Sequence, residues 1–130
     1  MKVLSVQNPW AWAIVHGPKR IENRSWATDY KGPLLIHAGK SRARLGDYGE
    51  GEPDPDAMMY GAIIGRVTLV DCVRVGSLPP ELDDDKTGTS RFVQGPWCWV
   101  LADPVALVPF VTPGKVSLFA PPPGYKPKPA

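Results

Sequence analysis

Lys19, Glu22 and Arg24 fall within the short run GPKRIENRSW, which offers a cation, a carboxylate and a second cation at close spacing. Lys19 has two readings. Behind a helix end it answers the partly negative carbonyls of the last turn. In a cleft it holds a phosphate, or acts as a base once desolvation favours the neutral amine. Glu22 stands two residues from both Arg20 and Arg24. It is either one rung of an ion-pair ladder or an acceptor that orients Lys19 or meets a base edge. A carboxylate held by arginine makes a poor general acid. Arg24 can engage a phosphate bidentately. His37 ends the apolar segment LLIHA, where a histidine is first a core or rim residue. It becomes a catalyst only if it faces a cleft, histidine being the side chain that titrates nearest neutrality. Trp10, Trp12 and Trp26 are first of all core mass. Trp26 is the one expected to offer a stacking face, because strand alternation places it with Arg20 and Arg24. Lys40, Arg42 and Arg44 alternate along a basic segment and form an electrostatic track.

The elements around these residues are short. Val3, Leu4 and Val6 predict a first strand. Asn8 suits a helix N-cap, Pro9 the first helical position and Gly17 a left-handed C-terminal position. Trp10, Ala13, Ile14 and Gly17 then form an apolar stripe. Lys19 to Trp26 reads as extended. Simple alternation puts Lys19 and Glu22 on opposite faces, unless the chain bends just after Gly17-Pro18. Leu34–Ala38 and Gly61–Val75 read as strands, the second bent at Gly65. Gly95–Phe110 reads as strand, turn at Ala102-Asp103-Pro104, strand. Val116–Ala120 is a candidate closing strand. Residues 46–60 form a surface loop, and SLPPELDDDKTGTS an acidic one with room for a helical turn. The tail PPPGYKPKPA predicts a frayed, polyproline-like extension. One domain over residues 1–120, with a disordered Pro-rich tail over 121–130, accounts for the chain. The expected fold class is α+β: a small, mostly antiparallel barrel with one or two short helices.

Bulk properties narrow the function. Sixteen prolines and thirteen glycines in 130 residues favour short strands and tight turns over long helices. No apolar run approaches the ~20 residues of a membrane span. The start MKVLSVQNPW lacks a signal-peptide pattern, so the expected compartment is the cytoplasm. There Cys72 and Cys98 are expected as buried thiols. Two cysteines and two histidines, widely spaced, make no zinc signature; neither metal nor cofactor is expected. The net charge of +2 conceals a polarity: residues 1–46 carry eight Lys/Arg against two Asp/Glu, and residues 47–85 carry two against ten. A basic first third suits phosphate-bearing partners.

The pattern G-x-K-x-x-E-x-R (Gly17, Lys19, Glu22, Arg24) follows Gln7, Pro9, Trp10 and Ala11. It precedes Trp26, Thr28, Tyr30, Gly32–Ala38 and Lys40. In that order these residues resemble the ASCH-domain family of the PUA-like superfamily. The likeness continues loosely through GAIIGRV and WCWVL. The resemblance implies a PUA-like β-barrel with a cleft beside the first helix. It also implies binding of RNA, single-stranded or modified, or of other nucleic acid. Carried over residue by residue, it points to Lys19, Glu22 and Arg24, with Trp26 as neighbour. The nucleic-acid-binding set is then Lys19, Arg20, Arg24, Trp26, Lys40, Arg42 and Arg44. The alternative is an enzyme acting on RNA or a modified nucleoside, a ribonuclease or amidohydrolase, with Lys19, Glu22 and His37 as catalytic candidates. The amidohydrolase branch has threonine where this chain has Glu22. A third reading is a sensor of a modified base or small nucleotide.

Overall fold

The computed structural model describes residues 1–82 and 89–130. Part of the expected acidic loop, residues 83–88, therefore lies outside the described residues. Its flanks form 3-10 turns at Pro80–Leu82 and Ser90–Phe92.

Among the described residues, five strands and one short α-helix make the fold: β1 (Lys2–Val6), α1 (Trp10–Val15), β2 (Ile21–Arg24), β3 (Gly32–Ala38), β4 (Ala62–Arg74) and β5 (Trp97–Val111). They form one curled half-barrel sheet in the order β1-β3-β4-β5-β2. The β1–β3 pair is parallel and the others are antiparallel. The expected α+β architecture, mostly antiparallel with a short helix, is thus observed.

The period of two along the strands explains the two faces. Leu4, Val6, Leu34, Ile36 and Ala38 turn to one side, where Ala11, Ile14 and Val15 of α1 meet them around the fully buried Trp99. Val3 and Leu35 turn to the other side and pack with Ile63, Leu107 and Phe119. Burial on both faces is why Leu34–Ala38 is continuously apolar apart from His37.

Gly65 lets the helix approach the sheet. A Cβ there would collide with Val15 Cγ2 and lie 3.1 Å from the Val105 carbonyl. Gly65→Ala is therefore expected to lower stability by about 1–3 kcal/mol through overpacking. The check is a lower urea midpoint with an unchanged denaturant slope.

Several expectations need correction. Asn8 does act at the start of α1, its Oδ1 accepting the Trp12 N–H at 3.1 Å. Gly17, however, is not left-handed; it is needed for space, since a Cβ there would sit 2.9 Å from the Ala13 carbonyl oxygen. The turn expected at Ala102-Asp103-Pro104 is absent, and β5 runs through it as one strand. Asp103 takes a left-handed φ of 53° there, and the β4–β5 register shifts alongside. Val116–Ala120 contributes a single bridge, Val3 with Phe119, rather than a strand. The tail does not fray from the body: Val108 N–H donates to the Lys128 carbonyl, Ala130 N–H donates to the Ala106 carbonyl, and Tyr125 packs beside Phe110. Cys98 is buried and Cys72 half-buried, and neither is disulfide-bonded. Among the described residues no helix is long and apolar enough to cross a membrane.

Candidate functional site

The site begins where α1 ends. The Gly17 and Lys19 N–H groups both donate to the Ala13 carbonyl, at 3.0 and 3.2 Å, so the chain bends sharply there. Arg20 fixes the bend. Its Nη1 donates to the carbonyls of Ile14, Gly17 and Lys19 at 3.2, 3.0 and 2.9 Å, a side-chain cap on the helix C-terminus. Lys19 therefore precedes β2, and strand alternation does not govern it.

The bend brings Lys19 and Glu22 together. Lys19 Nζ lies 3.4 Å from Glu22 Oε1 and also donates to the Ile21 carbonyl. Arg24, one strand period beyond Glu22, places Nη2 3.0 Å from Glu22 Oε2 and donates to the Ser5 carbonyl at 2.7 Å. Lys19 is only 3% exposed. Its ammonium stands 5.6 Å from the Trp10 ring centroid and 5.4 Å from that of Phe92, within cation–π reach. Burial pushes the Lys19 amine below its usual lysine range, and the Glu22 charge opposes that shift.

Two hollows meet at this cluster. The larger, of about 800 Å³, lies between the ends of β1, β2 and β3 and the segment after β5. Arg24, Lys40, Arg44 and Lys115 line it, together with the ring of Trp26. Its one carboxylate among the described residues is Glu22, already held by Lys19 and Arg24. The smaller hollow, of about 280 Å³, contains the Lys19 side. Trp10, Glu22, Asn23 and Arg44 border both.

The expected residues therefore divide. Glu22, Arg24, Trp26, His37, Lys40 and Arg44 line the larger hollow, and Lys19 the smaller. Arg20 lines neither, because it caps α1. Arg42 lines neither as well; its guanidinium stacks 4.4 Å from the Tyr60 ring centroid. Trp26 is half-buried and meets Trp99 edge to face at 4.8 Å, which orients its ring. His37 is tied at both nitrogens, to Ser5 Oγ and to the Thr112 carbonyl.

Sequence reasoning missed Ser5, Lys115, Asn23 and Phe92. Ser5 is brought to His37 by the parallel β1–β3 register, and no local pattern signals that. Lys115 follows Pro113-Gly114, a turn signal that could have marked a loop lysine. Asn23 serves folding: its Oδ1 accepts the N–H groups of Gln94 and Gly95, and its Nδ2 donates to the Phe92 carbonyl. Phe92 thereby comes to rest under Lys19.

Comparison with known proteins agrees with this architecture. Residues 4–87 match the family described as ASCH domain. Activating signal cointegrator 1 of Homo sapiens is 28% identical over 116 residues, covering 81% of this chain and 19% of that protein. The Mus musculus protein is 33% identical over 102 residues, covering 69% of this chain and 18% of that protein. The chain thus spans about a fifth of the length of these relatives. The crystal structure of ASCH from Zymomonas mobilis superposes with a TM-score of 0.51 at 19% identity, covering 85% of this chain and 72% of that one. At that identity the likeness establishes the fold. The family match extends over most of the chain and includes α1, β2 and the Lys19–Glu22–Arg24 cluster, so this chain belongs to the ASCH domain family, one generally linked to RNA binding.

Proposed function

We propose that the chain binds RNA, single-stranded or carrying a modified base, in the larger hollow. The observation that carries this reading is the charge of the lining. Arg24, Lys40, Arg44 and Lys115 face a space whose only carboxylate among the described residues is already paired. A phosphate backbone supplies the missing anions and releases counterions when it binds. Trp26 gives a base a flat partner, and single strands expose the base faces that duplexes hide. Arg20 and Arg42 are left out of the contact set because each is committed elsewhere.

The test is a titration of fluorescently labelled single-stranded RNA, duplex RNA and single-stranded DNA across salt concentrations. Tight, salt-sensitive binding of the single strands is expected. Absence of binding to all three would overturn the proposal. Trp26→Ala is expected to weaken single-strand binding by about 1–3 kcal/mol and to leave duplex binding nearly unchanged. An equal loss for both would show that Trp26 acts through the fold.

A second reading, an enzyme acting on RNA or a modified nucleoside, is favoured by one observation: burial drives Lys19 towards the neutral amine that a general base needs. Against it, Lys19 is engaged by Glu22 and by the Ile21 carbonyl. Turnover lost in Lys19→Ala with RNA affinity retained would favour catalysis. Loss of both together would favour a structural lysine.

A further inference from the structure

We propose that Ser5 and His37 form a nucleophile–base pair that hydrolyses carboxylic esters bearing a negative charge. This activity rests on a different observation from the RNA reading, although it uses the same hollow.

The pair follows from register. Parallel pairing sets Ser5 of β1 directly opposite His37 of β3, with both side chains on one face. Ser5 Oγ lies 2.8 Å from His37 Nδ1, and His37 Nε2 lies 2.6 Å from the Thr112 carbonyl oxygen. A carbonyl can only accept, so Nε2 carries the proton and Nδ1 presents its lone pair to the serine hydroxyl. That is the tautomer a base needs, held in place by a third group, with the nucleophile within hydrogen-bond reach.

Gly114 packs directly against the pair, and only a residue without a side chain fits there. A Cβ at Gly114 would collide with Ser5 Oγ and stand 2.9 Å from His37 Nδ1. Ser5, His37 and Gly114 all line the larger hollow. Beside them, Arg24 Nη2 binds the carbonyl of Ser5 itself, and Arg24 Nε is buried without a partner among the described residues. That N–H is a donor for which the described residues supply no acceptor, and an anionic oxygen would satisfy it. Lys40 and Lys115 add positive charge at the rim, which is why a charged ester is the expected substrate class. An ester fits better than an amide. His37 is held by a backbone carbonyl rather than a carboxylate, so its imidazolium gains no anionic partner, and an alcohol leaves with less help than an amine.

The steps balance without a co-reactant other than water. Ser5 Oγ bonds to the ester carbon as its proton passes to His37 Nδ1. The carbon–oxygen bond to the alcohol breaks, and the alcohol leaves with that proton. Water then attacks the acyl-serine and gives a proton to Nδ1. The Oγ–carbon bond breaks, Ser5 recovers the proton, and the carboxylic acid departs.

The test treats the full chain with a fluorophosphonate reagent and maps the adduct by mass spectrometry. In parallel, hydrolysis of 4-nitrophenyl hemisuccinate is compared with that of the uncharged 4-nitrophenyl acetate. Expected are an adduct on Ser5 and a kcat/KM higher for the hemisuccinate by about tenfold or more. Ser5→Ala should abolish both signals, and His37→Gln should slow hydrolysis about 10²–10⁴-fold. Gly114→Ala, on an exposed segment without a left-handed φ, should block labelling while the circular dichroism spectrum stays native, so the result stands even if His37→Gln fails to fold. No adduct on Ser5 in the folded protein, or hydrolysis undiminished in Ser5→Ala, would overturn the proposal. RNA binding measured on the same samples separates its failure from that of the RNA reading.

Discussion

Glu22→Gln is expected to destabilise the fold by about 3–5 kcal/mol at neutral pH, because it leaves a buried ammonium without its counter-charge. The upper figure has an independent bound. Lys19 can escape the penalty by losing its proton, and neutralising an ordinary lysine at pH 7 costs about 4–5 kcal/mol. Arg24 suffers less, since its side chain is 20% exposed and keeps the Ser5 carbonyl.

The pH dependence identifies the cause. In the folded protein burial lowers the Lys19 pKa, and Glu22 holds it up. Between that lowered value and the unfolded one, the unfolded chain binds more protons at this residue. Stability from Lys19 therefore rises with pH through the window and falls as pH drops through the folded value. Removing the Glu22 charge extends the window downwards. The gap between wild type and Glu22→Gln should accordingly be widest near pH 7 and narrow towards pH 10, with other titrating groups cancelling in the difference. Urea denaturation across that range measures it. A gap that stays constant with pH would mean that the substituted amide disturbs packing rather than charge. Adding Lys19→Met to Glu22→Gln should recover much of the loss, since removing both charges leaves nothing buried unpaired.

What was legible in the sequence was what local chemistry decides. Asn8 and the apolar spacing of α1 announce a helix start. LLIHA announces a compact apolar strand, and the glycine of GAIIGRV announces a bend in β4. Features set by partners distant in the chain were not legible. Asp103-Pro104 carries a strong turn signal, yet β5 continues because β4 supplies matching irregularities and Asp103 absorbs the distortion in one left-handed residue. Pro104, which has no N–H to lose, is tolerated at such a break in the ladder. Arg20 sits in phase with Glu22 and Arg24, but the helix end claims it first. Lys19 meets Glu22 only because the bend after Gly17 removes it from the strand's alternation. Ser5 and His37 are 32 residues apart, joined by a parallel register that depends on α1 and β2 lying between them. The tail is poor in core residues, and its docking relies on backbone hydrogen bonds to β5 that composition does not encode.

The triple replacement of Lys40, Arg44 and Lys115 by alanine is expected to produce the largest functional change. Each phosphate contact on a single strand adds about 0.7 to the slope of log affinity against log salt, so losing three should flatten it by about 2. At low salt the affinity should fall by roughly 10²-fold or more, the electrostatic share being largest there. Stability should hold, because all three residues are exposed and such surface changes usually stay within about 0.5 kcal/mol. Among the described residues Arg44 has only a long ion pair with Asp47, at 3.9 Å, and that exposed pair contributes little. Arg42→Ala is the informative contrast. Sequence alternation groups Arg42 with Lys40 and Arg44, whereas its stacking on Tyr60 takes it away from the hollow. A slope flattened by the triple variant and untouched by Arg42→Ala would locate the phosphates in the hollow. A slope changed equally by Arg42→Ala alone would locate them on the outer face of the basic segment, and the hollow would lose its claim to the RNA.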